Sequence, residues 1–285
     1  MRKDILLPAL ALAGGAAGFL LRLWQRASAY DPGTELYDPG APASLALVAW
    51  VVLAGVLALL LGRGGNAPEP PEAAFLCPST GYMTVMTAGG MCFLLSAAAG
   101  VPELMYRYQA WQIDPQHNML PIAFGLSVLF CLLGCVGALV SGRNNYREIT
   151  GLSVRTPAAL PAYAALPWLM AIYQDNSRDP VLIRVFVPLL AGVFLLLSLY
   201  QQAAFFYHRP HPLRATFFAV LGITLGLTSL ADGASIFYTV STLSFLLCTL
   251  GALMALSRNR FAPPRPKRVL DGPRMPQPES GPASE

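Results

Sequence analysis

The run "MLPIAFGLSVLFCLLGCVGALV", Met119 to Val140, carries no charged side chain, and the residues that follow, "SGRNNYR", close it with Arg143 and Arg147. A helix rises about 1.5 Å per residue, so a run of this length crosses the roughly 30 Å hydrocarbon core of a bilayer. Either lipid or the interior of a soluble globule could receive it, and composition decides between them. Of 285 residues only 12% are charged and 55% are apolar, against roughly 25% charged in ordinary soluble chains. Mean hydropathy is +0.51. The apolar residues gather into runs like this one instead of spreading along the chain. In lipid such runs must satisfy their backbone hydrogen bonds internally, which selects helices. The expected fold class is an all-α polytopic transmembrane helix bundle.

Working outward from 119–140, the sequence predicts eight spans, at about 5–24, 44–61, 82–101, 119–140, 157–174, 181–202, 213–231 and 235–256. Together they form a transmembrane domain over residues 1–256. The fifth, "TPAALPAYAALPWLMAIYQ", is short and interrupted by Pro157, Pro161 and Pro167. The first has features of a signal peptide, with Arg2 and Lys3 ahead of it and "ASA" at 27–29 behind. Its apolar stretch is longer than the usual 7–15 residues, and Arg22, Trp24 and Arg26 separate it from that site. An uncleaved anchor is the expectation.

Orientation follows from Lys and Arg. With both termini in the cytoplasm, the inner side collects the basic residues at 2, 3, 63, 143, 147, 155, 209, 214, 258, 260, 265, 267, 268 and 274. That is fourteen of nineteen. Arg22, Arg26, Arg107, Arg178 and Arg184 fall outside. Seven acidic residues lie inside and eight outside, giving net charges of +7 and −3. Trp24, Trp111, Trp168, Tyr30, Tyr106, Tyr108 and Tyr173 fall near the predicted outer helix ends, at the depth amphipathic rings favour. The cell (cytoplasmic) membrane is the expected location.

The tail, 257–285, holds seven prolines and six basic residues. That composition predicts a disordered cytoplasmic segment. Its cations suit anionic lipid, although the plainer reading is that they pin the last helix inside.

Motif-like stretches mostly resolve into turns and packing. "YDPGTELYDPG", Tyr30 to Gly40, repeats the Asp-Pro-Gly signature of a tight turn, with Pro fixing φ and Gly accepting φ > 0. A calcium site from Asp31, Glu35 and Asp38 would need six or more oxygens. "DNSRD" at 175–179 begins like a calcium loop but has Pro180 at the sixth place and Phe186 at the twelfth. "GRGGN" at 62–66 lacks the Lys-Ser/Thr of a phosphate loop. "HRPH" at 208–211 offers two imidazoles, with His117 on the other side. Cys131 and Cys135 share a helix face without a second ligand pair, and Cys77 sits in a loop on the inner side. No metal, cofactor, catalytic set or nucleic-acid role is expected. Gly14 with Gly18, Gly134 with Ala138, Gly222 with Gly226 and Gly251 with Ala255 have the spacing of close helix contacts, read here as contacts within the bundle.

Candidate substrate-binding residues remain. Pro161 and Pro167 each remove a helix hydrogen bond, as in interrupted helices that expose carbonyls to a solute, although a simple kink is the plainer reading. Glu103, Arg107, Arg184 and Asp232 cluster at outer helix ends, with Ser229 among the Ser and Thr residues near Asp232. Ionisable groups in a membrane domain are functional candidates by default. The leading expectation is a non-enzymatic, permease-like protein handling a small solute. The alternative is a non-transporting scaffold, sensor or assembly subunit acting through a protein partner.

Overall fold

The computed structural model describes residues 3–31, 36–38, 40–65, 70–115, 118, 120–176 and 182–262. Eight long helices lie among them: α1 (Lys3–Ser28), α2 (Pro42–Leu61), α3 (Thr80–Ile113), α4 (Ile122–Tyr146), α5 (Leu152–Asn176), α6 (Leu182–Phe206), α7 (Pro212–Ser229) and α8 (Ile236–Phe261). Two residues of β1 (Tyr30–Asp31) pair antiparallel with β2 (Leu36–Tyr37), and short 3-10 turns occupy Pro71–Phe75 and Leu230–Asp232. Seven helices, all but α5, are long and apolar enough to cross a membrane. They mark an integral membrane protein.

Local sequence explains the boundaries. Pro42 and Pro212 open α2 and α7, where the missing N–H costs nothing and φ is already helical. The expectation that α3 ends near residue 101 is corrected: the helix passes through Pro102 and runs to Ile113. At 34 residues it is about 51 Å long, so its last turns stand above the start of α4. The prolines of α5 do not interrupt it either, and the helix is continuous from Leu152 to Asn176.

Helix α8 is the hub. It touches α1, α3, α5, α6 and α7, while α1, α7, α6, α5, α4 and α3 follow one another around it and α2 lies outside, against α1 and α7. Such a position suits the polar content of α8, whose Ser241, Ser244 and Thr249 are fully buried. Peripheral α2 instead exposes Leu45, Val48, Val52 and Leu60, apolar side chains that only an acyl environment would cover.

Small residues set the contacts. A Cβ on Gly14 would meet the Thr224 side chain, and one on Gly18 would lie 2.2 Å from the Thr228 hydroxyl. That pair therefore seats α1 on α7 inside the bundle. A Cβ on Gly137 of α4 would fall 2.6 Å from Leu160 Cβ, 2.9 Å from Pro161 Cδ and 3.0 Å from the Pro157 carbonyl oxygen. Thus the carbonyl freed by Pro161 faces the flank of α4, where the absent side chain allows backbone approach.

Hydrogen bonds gather at two ends. At one end Lys3 Nζ donates to the Arg63 carbonyl (3.2 Å), and Arg260 Nη2 donates to the carbonyls of Gly62 (3.2 Å) and Gly64 (2.5 Å). Asn259 Nδ2 donates to the carbonyls of Ala73, Ala74 and Leu76 at 2.9–3.1 Å. Buried Glu72 accepts from the Gly151 N–H (3.1 Å) and stands 3.6 Å from Arg155. So Gly62 to Gly65 of "GRGGN" form a seat for the end of α8. At the same end Cys77, placed in a loop by the sequence, is only 3% exposed.

The opposite end carries Arg22, Arg107, Asp175 and Asp232. Helix α5 joins the two ends, with Arg155 near its start and Asp175 near its finish. One aromatic expectation is corrected. Trp168 does not present its ring at the bundle's surface but is 1% exposed and packs on Phe245 at 4.7 Å. Trp24, Tyr106, Tyr108 and Tyr173 are exposed as expected. Trp50, deeper in its span, donates to the Gly14 carbonyl at 2.9 Å.

Candidate functional site

Six helices converge at the Arg22–Asp232 end. The last turns of α1 bring Arg22, Gln25 and Arg26. Arg22 is 1% exposed, and it donates to Asp232 Oδ1 (2.7 Å) and Gln25 Oε1 (2.7 Å). Gln25 passes the chain on to Ser44 Oγ at 2.9 Å, and Ser44 donates to the Asp38 carbonyl at 2.8 Å. The Tyr37 ring lies 4.8 Å from the Arg22 guanidinium and 5.2 Å from the Tyr30 ring. The segment following α1 is thereby tied down over the ion pair.

The second Asp-Pro-Gly of the repeated motif forms the expected turn. Gly40 N–H donates to Asp38 Oδ1 (2.8 Å), and Ala41 N–H donates to the Asp38 carbonyl (3.3 Å). Pro32 and Gly33 of the first repeat lie outside the described residues, and so does Glu35, on which the calcium alternative depends. Among the described residues no group of three His, Cys, Asp or Glu side chains could hold a metal ion.

Across the site α3 supplies Arg107. It bonds Glu103 Oε1 one turn back (2.7 Å) and Asp175 Oδ1 of α5 (2.6 Å), and stacks over Phe124 at 4.2 Å. Tyr238 of α8 donates its hydroxyl to Asp175 Oδ2 at 2.6 Å. Glu103, Asp175 and Asp232 thus each meet a guanidinium, as partly buried charges require.

Between these two ion-paired walls is a cavity of about 490 Å³. Its charged lining is Arg26, Arg107, Asp175 and Asp232. Hydroxyls supply much of the rest, from Tyr30, Tyr37, Ser229, Ser235, Thr239 and Thr242. Gly233, at φ +67°, turns the chain between the Leu230–Asp232 turn and α8. A Cβ there would approach Arg26 Nη1 to 3.8 Å. Arg26 itself donates to the Ala231 carbonyl. One helical turn from the lining residues Thr242 and Ile172, the rings of Phe245 and Trp168 pack on each other at 4.7 Å.

Of the residues chosen from the sequence, Arg107, Asp232 and Ser229 line this cavity. Glu103 stands behind Arg107, holding it. Arg184 is on the first turn of α6, and its side chain lies outside the described residues. Pro161 and Pro167 are buried in α5 and are not among the cavity's lining residues. Sequence reasoning did not select Arg26, Asp175, Tyr37 or Tyr238. Arg26 and Asp175 were readable as charges near outer helix ends, but the two tyrosines carried no signal that set them apart from interfacial rings. His208, from "HRPH", is at the far end with Arg155 (2.6 Å) and Glu72 (3.9 Å); His117 lies outside the described residues.

No protein-family model, curated protein or solved structure matches the chain.

Proposed function

We propose that the protein is a permease-like carrier for a small polar solute, integral to the cell membrane, with eight crossings and both termini in the cytoplasm. The observation that carries this reading is the cavity of about 490 Å³, within the roughly 300–1,000 Å³ range of small-molecule sites. It lies at one end of the bundle, while Asn259, Arg260 and Glu72 tie the other end shut. A carrier facing outward has this asymmetry.

Eight crossings are supported by α5, which reaches from Glu72 at one end to Arg107 at the other. The orientation is supported by the charge count, since the fourteen basic residues assigned to the inner side include Lys3, Arg63, Arg155, Arg258 and Arg260 of the tied end. Further support lies along the interior. Trp168 Nε1, Thr249 Oγ1 and Gln201 Oε1 are buried at successive depths and make no hydrogen bond among the described residues. Buried groups with unspent bonding capacity are costly in a purely structural core. The surrounding partner is lipid, with anionic headgroups suited to the basic tail.

The experiment is reconstitution of the purified protein into liposomes with a counterflow assay over charged and neutral small solutes. Cysteine accessibility at Thr242 and Thr249 is measured in parallel. Solute-dependent protection at Thr242 together with saturable flux is the expected result. Absence of flux for every solute, with Thr249→Cys inaccessible from both sides, would leave the scaffold or assembly-subunit reading in its place.

A further inference from the structure

We propose that the groove between α1 and α8 at the Lys3–Arg260 end is a binding site for one phospholipid with an amine-bearing zwitterionic headgroup, of the phosphatidylethanolamine class. The inference needs only a chain embedded in lipid and is independent of the carrier reading.

The groove follows from the helix order. Around α8 the neighbours pack closely on one another from α1 through α7, α6, α5 and α4 to α3, but α3 and α1 do not close the ring. On α8, a Cβ at Gly251 would lie 2.7 Å from Met86 Sδ of α3, and Ser257 Oγ donates to the Asp4 carbonyl of α1 at 3.0 Å. That carbonyl is available because Pro8, one turn on, has no N–H to give it. Between these two contacts, Leu250 and Met254 of α8 face Pro8, Ala9 and Leu12 of α1 across a groove of about 490 Å³. Its charged lining is Asp4 and Arg258, one at the start of α1 and the other in the last turn of α8.

Dimensions select lipid over a partner helix. Asp4 to Leu12 and Arg258 to Leu250 each span about 12 Å of helix, most of the roughly 15 Å of hydrocarbon in one leaflet. A charged mouth thus leads to apolar walls at the depth of an acyl chain. Spread over that length, the volume gives a section of about 40 Å², against roughly 80–110 Å² for a helix 10–12 Å across.

Charge selects the headgroup. The mouth holds one charge of each sign. Lys3 is spent on the Arg63 carbonyl and the Phe261 ring, and Arg260 on the carbonyls of Gly62 and Gly64. Arg258 is exposed and reaches the Cys77 sulfur at 3.9 Å, which takes one of a guanidinium's five donors and leaves others for a phosphate. Asp4 is engaged elsewhere as well, but a carboxylate has about four acceptor positions and can take an ammonium besides. A phosphate and a primary ammonium on one headgroup match this pair. Choline has no N–H to donate, and a glycerol headgroup brings no cation.

The test exposes the purified full-length protein in detergent to equimolar dioleoyl phosphatidylethanolamine, phosphatidylcholine and phosphatidylglycerol, and counts retained lipid by intact-protein mass spectrometry. Ala9→Phe fills the groove at an exposed position, so lipid held in the groove is what that variant loses; Leu12→Trp repeats the block farther in and guards against misfolding of either. The lost lipid is expected to be phosphatidylethanolamine by about threefold over each of the others, the size of an exposed ion pair. Asp4→Asn should bring phosphatidylethanolamine down to the phosphatidylcholine level, and Arg258→Gln should weaken all three alike through the shared phosphate. Blocked variants that retain as much lipid as the parent overturn the inference. So does a loss that falls equally on the three lipids, or mainly on phosphatidylglycerol, which would mark a merely basic surface.

Discussion

Replacing Asp232 by Asn removes the charge that Arg22 faces while keeping the side chain's size. The two side chains are 2% and 15% exposed and meet at 2.7 Å, so this pair belongs with buried salt bridges, where the surrounding medium screens little. With charge centres about 4 Å apart, attraction at an effective dielectric of 20 is about 4 kcal/mol. Desolvation offsets much of that in the intact pair. It is not offset when one partner is removed, and breaking a buried pair costs about 3–5 kcal/mol. Arg22 keeps Gln25 Oε1 and the Tyr37 ring, which places the expected loss near the lower bound, at about 3 kcal/mol. For a chain of this size that corresponds to a fall in melting temperature of roughly 6–12 °C. The double variant Arg22→Met with Asp232→Leu removes both charges of this pair together and should be less damaging than Asp232→Asn alone. The assay is thermal unfolding of each purified variant in one detergent, followed by intrinsic fluorescence, with a four-member cycle to isolate coupling. An unchanged melting temperature for Asp232→Asn would refute the reasoning. A double variant whose loss equals the sum of the singles would do so too, because the pair would then carry no coupling.

Other consequences can be checked with similar means. Gly137→Leu forces a side chain into Leu160, Pro161 and the Pro157 carbonyl and should cost about 1–3 kcal/mol by overpacking; Gly81→Leu, where a Cβ meets nothing nearer than 3.9 Å, should melt close to the parent. Asn259→Leu strands the carbonyls of Ala74 and Leu76, while that of Ala73 keeps the Leu76 N–H, and should lose about 1–3 kcal/mol, together with faster proteolysis of that segment. Tyr106 is 73% exposed at the Arg107 end, so Tyr106→Cys should react with a membrane-impermeant maleimide in intact cells. Glu148→Cys, exposed at the other end, should react only after permeabilisation. The native Cys77 does not serve for this, since at 3% exposure it is sheltered from reagent on either side.

Depth was legible in the sequence and azimuth was not. The alternation of charge along the chain correctly separated Lys3, Arg63 and Arg155 from Arg22, Arg107 and Asp175, because charged groups must stay near one end or the other of an apolar run. Which charges meet was hidden. Arg22 and Asp232 are 210 residues apart, and nothing local marks the side of α1 that faces α7. Where lipid and core are equally apolar, hydrophobic periodicity cannot pick out the buried face as it does in a soluble helix. Helix ends were misjudged for a related reason. Pro102, Glu103 and Arg107 read as the exit from a span, yet α3 continues because its charges are neutralised by Asp175 and by one another. Pro157, Pro161 and Pro167 read as interruptions, but at least one freed carbonyl finds a glycine-lined flank at Gly137. Interior Trp168 was misplaced because its partner Phe245 comes from a helix 77 positions later.

Helix α8 emerges from the ribosome after the other seven, yet it is the strut on which they lean. Ser257 reaches back to the Asp4 carbonyl at 3.0 Å, Arg260 to Gly62 and Gly64, and Asn259 to the 73–76 segment. Until those turns are synthesised, α1 to α7 have buried polar groups with no hub to receive them. Biogenesis must therefore hold seven inserted helices in waiting, and a nascent chain arrested before residue 236 should be cleared by membrane quality control rather than accumulate.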